Sequence, residues 1–334
     1  RNGGSKVKKI IALLCLFAVA AALFATPEAE KTTTIGITKI VAHPALDAVE
    51  QGIQDELAAQ GYTDVKYDLQ NANGDMNSSA SIASKFKADK VDVAVGIATP
   101  TAQSLVQSMT NIPVVFTAVT DPVVAGLVPS LGPSGSNVTG YSDMTPVREQ
   151  IEMMVNLGGV KRIGHVYSSG EANAVLLAEM AKEACADLGV TFVAATVTNS
   201  AEVRVAALSI IGKIDAIYLS TDNTVVSALS ALASVASERG VPIISADPSS
   251  AEEFEILAAY GFDYYSMGRA TGRMVKEILD GKDPGTIPTK FMTDPSDLVL
   301  LVNLDVAKKL GITLSSRVLA EADKLVENGV LKDN

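Results

Sequence analysis

From Thr34 onward the chain repeats one pattern: a short apolar, β-branched run, a loop rich in Thr, Asp, Pro or Gly, then a stretch with helical spacing. Ile35 to Ile40 reads as the first strand. Pro44 opens a helix that Gly61 closes after Gln60, in keeping with proline at first helical positions and glycine just past the end. Strand Val65–Leu69, helix Met76–Ala88, strand Val91–Ile97, helix Pro100–Met109 and strand Ile112–Thr117 follow. After Ser142-Asp143-Met144 the alternation restarts: strand Arg162–Tyr167, helix Ala174–Leu188, strands Thr191–Ala195 and Ala216–Ser220, helix Thr224–Arg239 and strand Val241–Ser245. Alternation of this kind predicts right-handed crossovers and a parallel sheet covered on both faces. The expected fold class is therefore α/β, with two doubly wound parallel-sheet (Rossmann-like) lobes.

An internal echo supports the doubling. Lys90-Val91-Asp92, Thr99-Pro100-Thr101 and Ile112-Pro113-Val114-Val115 are matched by Lys213-Ile214-Asp215, Asp222-Asn223-Thr224 and Val241-Pro242-Ile243-Ile244. The offset is 123 from Asp92 to Asp215, 129 from Pro113 to Pro242, 126 from Asp121-Pro122 to Asp247-Pro248 and 128 from Ile35-Gly36 to Ile163-Gly164. A period this long is a lobe duplication rather than a solenoid repeat. The length of 334 residues suits two lobes, each able to bury its own core, and 48% hydrophobic with 19% charged residues is ordinary for a globular α/β protein.

The first 25 residues do not fit this pattern. Lys6, Lys8 and Lys9 precede an apolar run from Ile10 to Phe24 that ends at small residues near Ala25, as in a secretory signal peptide. The run is short for a spanning helix, which needs about 20 residues; an uncleaved anchor and a lipid on Cys15 are the alternatives to cleavage. Export to a periplasmic or other extracytoplasmic site is expected. Beyond that segment only Cys185 remains, so no intramolecular disulfide can form. Removing residues 1–25, which hold four cations and no acid, moves the formal charge from −11 to −15. Such a surface disfavours nucleic acid and anionic membrane as partners.

In doubly wound sheets ligands sit outside the carboxyl ends of the strands, near the switch in strand order. The loops leaving those ends are residues 38–44, 98–101 and 118–122 in the first half and 167–173, 221–223 and 246–249 in the second. All six are dense in hydroxyls, amides and carboxylates, and several lead into helix N-termini, which favour an anionic group. Thr99 and Thr101 could hold a carboxylate, while Asp222, Asp121 or Asp247 could pair with an ammonium. The combination fits a zwitterionic amino acid, although Thr, Asp and Asn at these places also serve as plain helix caps. His43, directly before Pro44, could reach the same cleft.

Catalytic chemistry has little raw material. His43 and His165 are the only histidines, which leaves almost nothing for a Ser/His/Asp triad or a histidine metal site. CxxC, GxxxxGK[ST], GxSxG and GxGxxG are absent. The sequence reads as a binder without a cofactor or metal, not as an enzyme.

The residues resemble the type I periplasmic binding proteins, in the branch associated with import of aromatic amino acids such as tryptophan, phenylalanine or tyrosine. The likeness is carried by His43-Pro44-Ala45-Leu46-Asp47, Asn73-Gly74-Asp75, Ile97-Ala98-Thr99-Pro100-Thr101-Ala102-Gln103, the run from Ile112-Pro113-Val114 through Ala118-Val119-Thr120-Asp121-Pro122 to Gly126-Leu127-Val128, Asn137-Val138-Thr139-Gly140, Ser142-Asp143-Met144, Glu171-Ala172-Asn173, Asp222-Asn223-Thr224 and Gly261-Phe262-Asp263-Tyr264-Tyr265. It extends from Ile35 to Ala322. Two places depart from the family: the 167–174 loop lacks an Asn-Pro-Ser lead and a final Ser, and residues 253–257 are bulkier and more acidic. Both bear on ligand identity rather than on fold.

The resemblance implies two lobes joined by a three-strand hinge, residues 34–142 plus 262–286 in the N-terminal lobe and 143–261 plus 287–330 in the C-terminal lobe. Crossovers are expected near Tyr141–Met144, Tyr260–Asp263 and Asp283–Pro288. The implied function is that of an extracytoplasmic substrate-binding protein of an ABC importer, a monomer that closes on a small molecule and is recognised by a membrane permease. Expected ligand contacts are His43, Thr99, Thr101, Thr120, Asp121, Ser142, Glu171, Asn173, Asp222, Asn223, Asp247 and Tyr260. Phe116, Tyr141, Tyr167 and Tyr260 are candidates for an apolar slot around an aromatic ring. The rival readings are a binding protein for a sugar or nucleoside, a ligand-sensing module, and an enzyme such as a racemase or hydrolase on the same two lobes.

Overall fold

The buried β-branched runs form strands, and the polar-capped stretches after them form helices. The computed structural model describes residues 32–156, 159–293 and 297–334; the expected export segment and Cys15 lie outside them. The first half comprises β1 (Thr34–Lys39), α1 (Pro44–Ala59), β2 (Lys66–Asn71), α2 (Met76–Asp89), β3 (Val93–Ile97), α3 (Thr99–Ser108), β4 (Val114–Val119) and β5 (Val138–Ser142). The second half comprises α4 (Val147–Asn156), β6 (Arg162–Ser168), α5 (Ala172–Asp187), β7 (Thr191–Val197), α6 (Val203–Ile210), β8 (Ala216–Leu219), α7 (Asn223–Val226), α8 (Leu229–Arg239), β9 (Ile243–Ser245), α9 (Pro248–Glu253) and β10 (Ala258–Phe262). The chain ends with α10 (Tyr264–Leu279), β11 (Lys290–Phe291), β12 (Leu298–Asn303), α11 (Leu304–Leu310), α12 (Ser316–Glu321), β13 (Lys324–Glu327) and β14 (Val330–Asp333).

One sheet has six strands in the order β11-β5-β4-β3-β1-β2, all parallel. The other has eight, β14-β13-β12-β10-β9-β8-β6-β7, parallel except where β10 meets β12 and β13 meets β14. Strand order reverses between β1 and β3 and again between β6 and β8, so each lobe has one switch point. The expected helix over residues 224–239 is two helices, interrupted at Ala228 (φ −114, ψ 23).

The sequence echo has a physical cause. Asp92, just before β3, accepts the Thr34 backbone N–H at 2.8 Å; Asp215, just before β8, accepts those of Lys161 and Arg162 at 3.0 and 2.9 Å. In each lobe the same carboxylate ties the start of the third strand to the start of the first. Asp121 and Asp247 likewise cap the turns that follow β4 and β9, each ahead of a proline.

The chain passes between the sheets after β5, through 143–146, and after β10, through Asp263. The third passage lies later than the expected 283–288. Pro284–Thr286 is a short 3-10 turn inside the first lobe: Ile287 belongs to that lobe's apolar core, the Ile287 carbonyl accepts from the Thr139 hydroxyl at 3.0 Å, and Lys290–Phe291 pairs with β5. Residues 287–291 therefore belong with the N-terminal lobe, and the chain crosses between β11 and β12. The prolines that suggested a linker instead shape a turn.

α10 returns to the first lobe and packs against α1 at backbone distance. A Cβ on Gly52 would lie 2.4 Å from the Tyr265 carbonyl oxygen, and one on Gly268 would lie 2.3 Å from that of Val49. Glu56 of α1 is buried in the same seam. Burial alone would raise its pKa, but hydrogen bonds from Gln60 and Arg269 and the charge of Arg273 hold it below the usual carboxylate range. Among the described residues no helix is long and apolar enough to cross a membrane.

Candidate functional site

A narrow cavity lies between the lobes, at the kind of interdomain position where small-molecule sites are usually found. The first lobe contributes His43, Ala45, Leu46, Ala118 and Thr120 to its wall, and the second Asn173, Thr221, Asp222, Asn223, Val226 and Asp247. Asp143 and Tyr264, which flank the first two passages between the sheets, complete it. An outer opening adjoins it, with Asn223 lining both. Across the cleft α1 touches α9 and α3 touches α5.

The local sequence explains why these groups converge. His43, Asp222 and Asp247 are the cap residues of α1, α7 and α9, Asn173 is the second residue of α5, and Tyr264 is the first of α10. The wall is thus made of helix beginnings, whose partial positive charge offsets the carboxylates beside them. Two alanines with positive φ, Ala98 (φ 78) and Ala118 (φ 51), sit at the carboxyl ends of β3 and β4. The β4–β5 register shifts between Phe116 and Val119, and this bulge turns Ala118 toward the cavity.

The site is acidic and its carboxylates are buried. Burial pushes Asp143 up to about 6 against the hydrogen bond from Tyr264 and the influence of the nearby Thr120 hydroxyl, and pushes Asp247 up to about 6 against hydrogen bonds from Ser249. Burial together with the charge of Glu171 raises Asp222 to about 8. Burial also keeps the His43 imidazole neutral, with its pKa down at about 4. Neither Lys nor Arg is among the described residues that line the cavity.

Of the twelve expected contacts, His43, Thr120, Asn173, Asp222, Asn223 and Asp247 line the cavity. Glu171 faces the outer opening, where its carboxylate accepts from the Asn223 amide and from the backbone and hydroxyl of Thr224. The other five lie off the wall. Thr99 is buried at the start of α3 with its hydroxyl unpaired among the described residues. The Thr101 hydroxyl is directed at the carbonyls of Ile97 and Ala98, 2.6 and 3.0 Å away, so it braces its own helix. Asp121 caps the exposed turn at Val123 and Val124. The Ser142 hydroxyl donates to the Thr120 carbonyl and supports the passage at Met144. Tyr260 packs into the second lobe's core.

The other candidate aromatics are also structural. Phe116 is fully buried, Tyr141 packs on the first lobe's core, and Tyr167 stacks on His165 with ring centroids 5.5 Å apart. The wall aromatic is Tyr264, whose hydroxyl donates to Asp143 at 2.9 Å. Asp143 and Tyr264 were within recognised motifs, yet nothing in a linear pattern distinguishes them from hinge residues. His165 is a core residue; its Nδ1 donates to the Tyr218 carbonyl at 2.9 Å. Cys185 is buried, its thiol pushed up to about 11 by burial. Among the described residues no group of three or more His, Cys, Asp and Glu is arranged to hold a metal ion.

Two switch points facing one polar cavity, with two chain passages beside it, define a type I periplasmic binding protein fold. The sequence matches the family described as ABC transporter substrate binding protein over residues 34–326, and the chain belongs to that family. Its relatives are binding proteins rather than enzymes. A tyrosine-binding protein from Clostridioides difficile (strain R20291) is 37% identical over 85% of this chain and 82% of its own. A domain solved in complex with L-Trp from Streptococcus pneumonia is 34% identical, covers 89% of this chain and 100% of its own, and superposes with a TM-score of 0.85. A ligand-free, open substrate binding protein from Clostridium difficile is 37% identical over 85% of this chain and 97% of its own, yet superposes at only 0.64.

Proposed function

We propose that the protein captures a zwitterionic amino acid with an aromatic side chain in the interlobe cavity, outside the cytoplasm, and presents it as a monomer to the permease of an ABC importer. The observation that carries this reading is the cavity wall, in which polar groups from both lobes and from the first two hinge passages face a short apolar stretch. His43, Thr120, Asn173 and Asn223 supply polar contacts in this reading, with Asp222 and Asp247 shaping the loops behind them. Leu46, Ala118, Val226 and the Tyr264 ring form the surface against which a side chain packs. Relatives named for tyrosine binding and solved with L-Trp support the ligand class.

Closure follows from the architecture. A ligand held by one lobe gains contacts only when the other swings onto it, so binding favours the closed form by that difference in affinity. The closed surface is then what a permease reads.

The test is thermal unfolding of the protein, refolded beforehand to remove carried-over ligand, against the twenty amino acids, sugars and nucleosides. A ligand at a hundredfold excess over its Kd stabilises the native state by about 2.7 kcal/mol. Stabilisation by Trp, Tyr or Phe alone is the expected result. A response to a sugar or nucleoside in place of these overturns the ligand class.

A further inference from the structure

The cavity carboxylates differ in how far their oxygens are already engaged. Asp222 accepts from the Ser168 backbone N–H at 2.5 Å through one oxygen and from that of Val225 at 3.0 Å through the other. Asp247 accepts from the Ser249 backbone at 2.9 Å, and the Ser249 hydroxyl lies within 2.9 Å of both its oxygens. Asp143 is different. Its Oδ2 accepts from Tyr264, while Oδ1 is buried on the cavity wall and has no hydrogen-bond partner among the described residues. The residue as a whole is only 3% exposed.

Two more unpaired oxygens line the same cavity from the second lobe. The Asn173 amide donates through Nδ2 to the Thr221 carbonyl at 3.1 Å, which fixes the amide's orientation and leaves Oδ1 without a partner. The Thr221 hydroxyl is buried and unpaired as well. Buried polar atoms are nearly always hydrogen-bonded, so three orphan oxygens on one wall, facing a His43 ring whose nitrogens are also unpaired among the described residues, point to a ligand that brings donors. A primary ammonium has three N–H bonds and one positive charge.

We propose that Asp143 Oδ1, Asn173 Oδ1 and Thr221 Oγ1 together receive the ligand's primary ammonium group, with Asp143 as its counter-charge. The assignment rests on the amino-acid reading above and deepens it: Asp222 and Asp247, the carboxylates that the sequence favoured, hold the loops in shape. Asp143 stands on the first passage between the lobes and Tyr264 directly after the second, whereas Asn173 and Thr221 belong to the second lobe. The ammonium therefore bridges the hinge strands to the closing lobe. A ligand without it, such as a 3-arylpropionic acid, leaves the buried oxygens unpaired.

The experiment is calorimetric titration of the full chain with L-tyrosine, L-tryptophan and L-phenylalanine, with the matching 3-arylpropionic acids and with the matching arylethylamines. Removing one partner of a buried charge pair costs roughly 30-fold to several thousandfold in affinity. Wild-type protein is expected to prefer the amino acid to its deaminated analogue by at least about 30-fold, and to retain measurable binding of the amine. Asp143→Asn is expected to collapse that ratio toward one. Equal wild-type affinity for amino acid and deaminated analogue overturns the assignment without any variant. Asp143→Asn that folds and keeps the wild-type ratio overturns it too. If no amino acid binds at all, the reading beneath the assignment fails, and the assignment with it.

Discussion

Gly268→Ala tests whether the spacing of α1 and α10 shapes the cavity. The added Cβ would lie 2.3 Å from the Val49 carbonyl oxygen, 2.9 Å from Val49 Cα and 3.0 Å from Val49 C, all backbone atoms that no rotamer change can clear. Ordinary contact is about 3.5 Å, so the helices must separate by about 1 Å. Overpacking of this kind costs about 3 kcal/mol at its upper range, and alanine's better helix propensity returns about 1 kcal/mol. The net expectation is a loss of about 2 kcal/mol, read as a lower midpoint in urea at unchanged slope. Ala45 and Leu46 in the first turn of α1 and Tyr264 at the start of α10 line the cavity, so ligand affinity falls as well. Gly212→Ala is the matched control, since its Cβ would meet nothing within 4 Å and its backbone is not left-handed. That change is expected to be neutral or to stabilise by up to about 1 kcal/mol. Equal stability of the two variants refutes the reasoning.

Three further outcomes follow from the site and its supports. Affinity for an amino ligand is expected to rise with pH up to about 6 and then level, because Asp143 must lose its proton to face an ammonium; titrations from pH 5 to 8 that show no slope contradict this. In the unliganded protein the raised pKa values of Asp143, Asp247 and Asp222 act in the opposite sense. The folded state keeps protons that the unfolded chain releases near 3.8, so their contribution to stability is lost as pH climbs through about 6 and then about 8, seen by denaturation at each pH. Gln150→Leu removes the amide that donates to the Tyr260 carbonyl at 2.6 Å and accepts from the Tyr218 hydroxyl at 2.7 Å. With those buried groups unpaired, a loss of about 2–4 kcal/mol is expected in urea unfolding. Thr101→Val is expected to cost about 1 kcal/mol of stability while changing ligand affinity less than twofold, because that hydroxyl serves its own helix.

The alternation of apolar runs and capped helices made both lobes legible, and the repeat at Asp92 and Asp215 was visible because one clamp serves each lobe. Half of the expected contacts reached the wall because loops after parallel strands face one end of a sheet. Strand, helix and loop patterns could not rank residues within those loops. Thr99 and Thr101 share one motif, but helical geometry turns the Thr101 hydroxyl onto Ile97. Tyr260 was attractive as an aromatic beside the hinge, yet it packs into the second lobe's core. Asp143 and Tyr264 matter because two passages distant in sequence meet, and contact across 121 residues leaves no periodic trace. The antiparallel addition of β12 and the strands beyond it escaped the reading because the sequence was followed as a parallel alternation.

The interleaved path of the chain has a thermodynamic consequence. The first sheet takes its edge strand β11 from beyond the second lobe, and the second sheet takes β12 to β14 from beyond that. Neither lobe is a contiguous stretch of sequence, so neither can melt and leave the other whole. A body that looks like two domains is therefore expected to absorb heat in a single transition, with calorimetric and van't Hoff enthalpies in agreement.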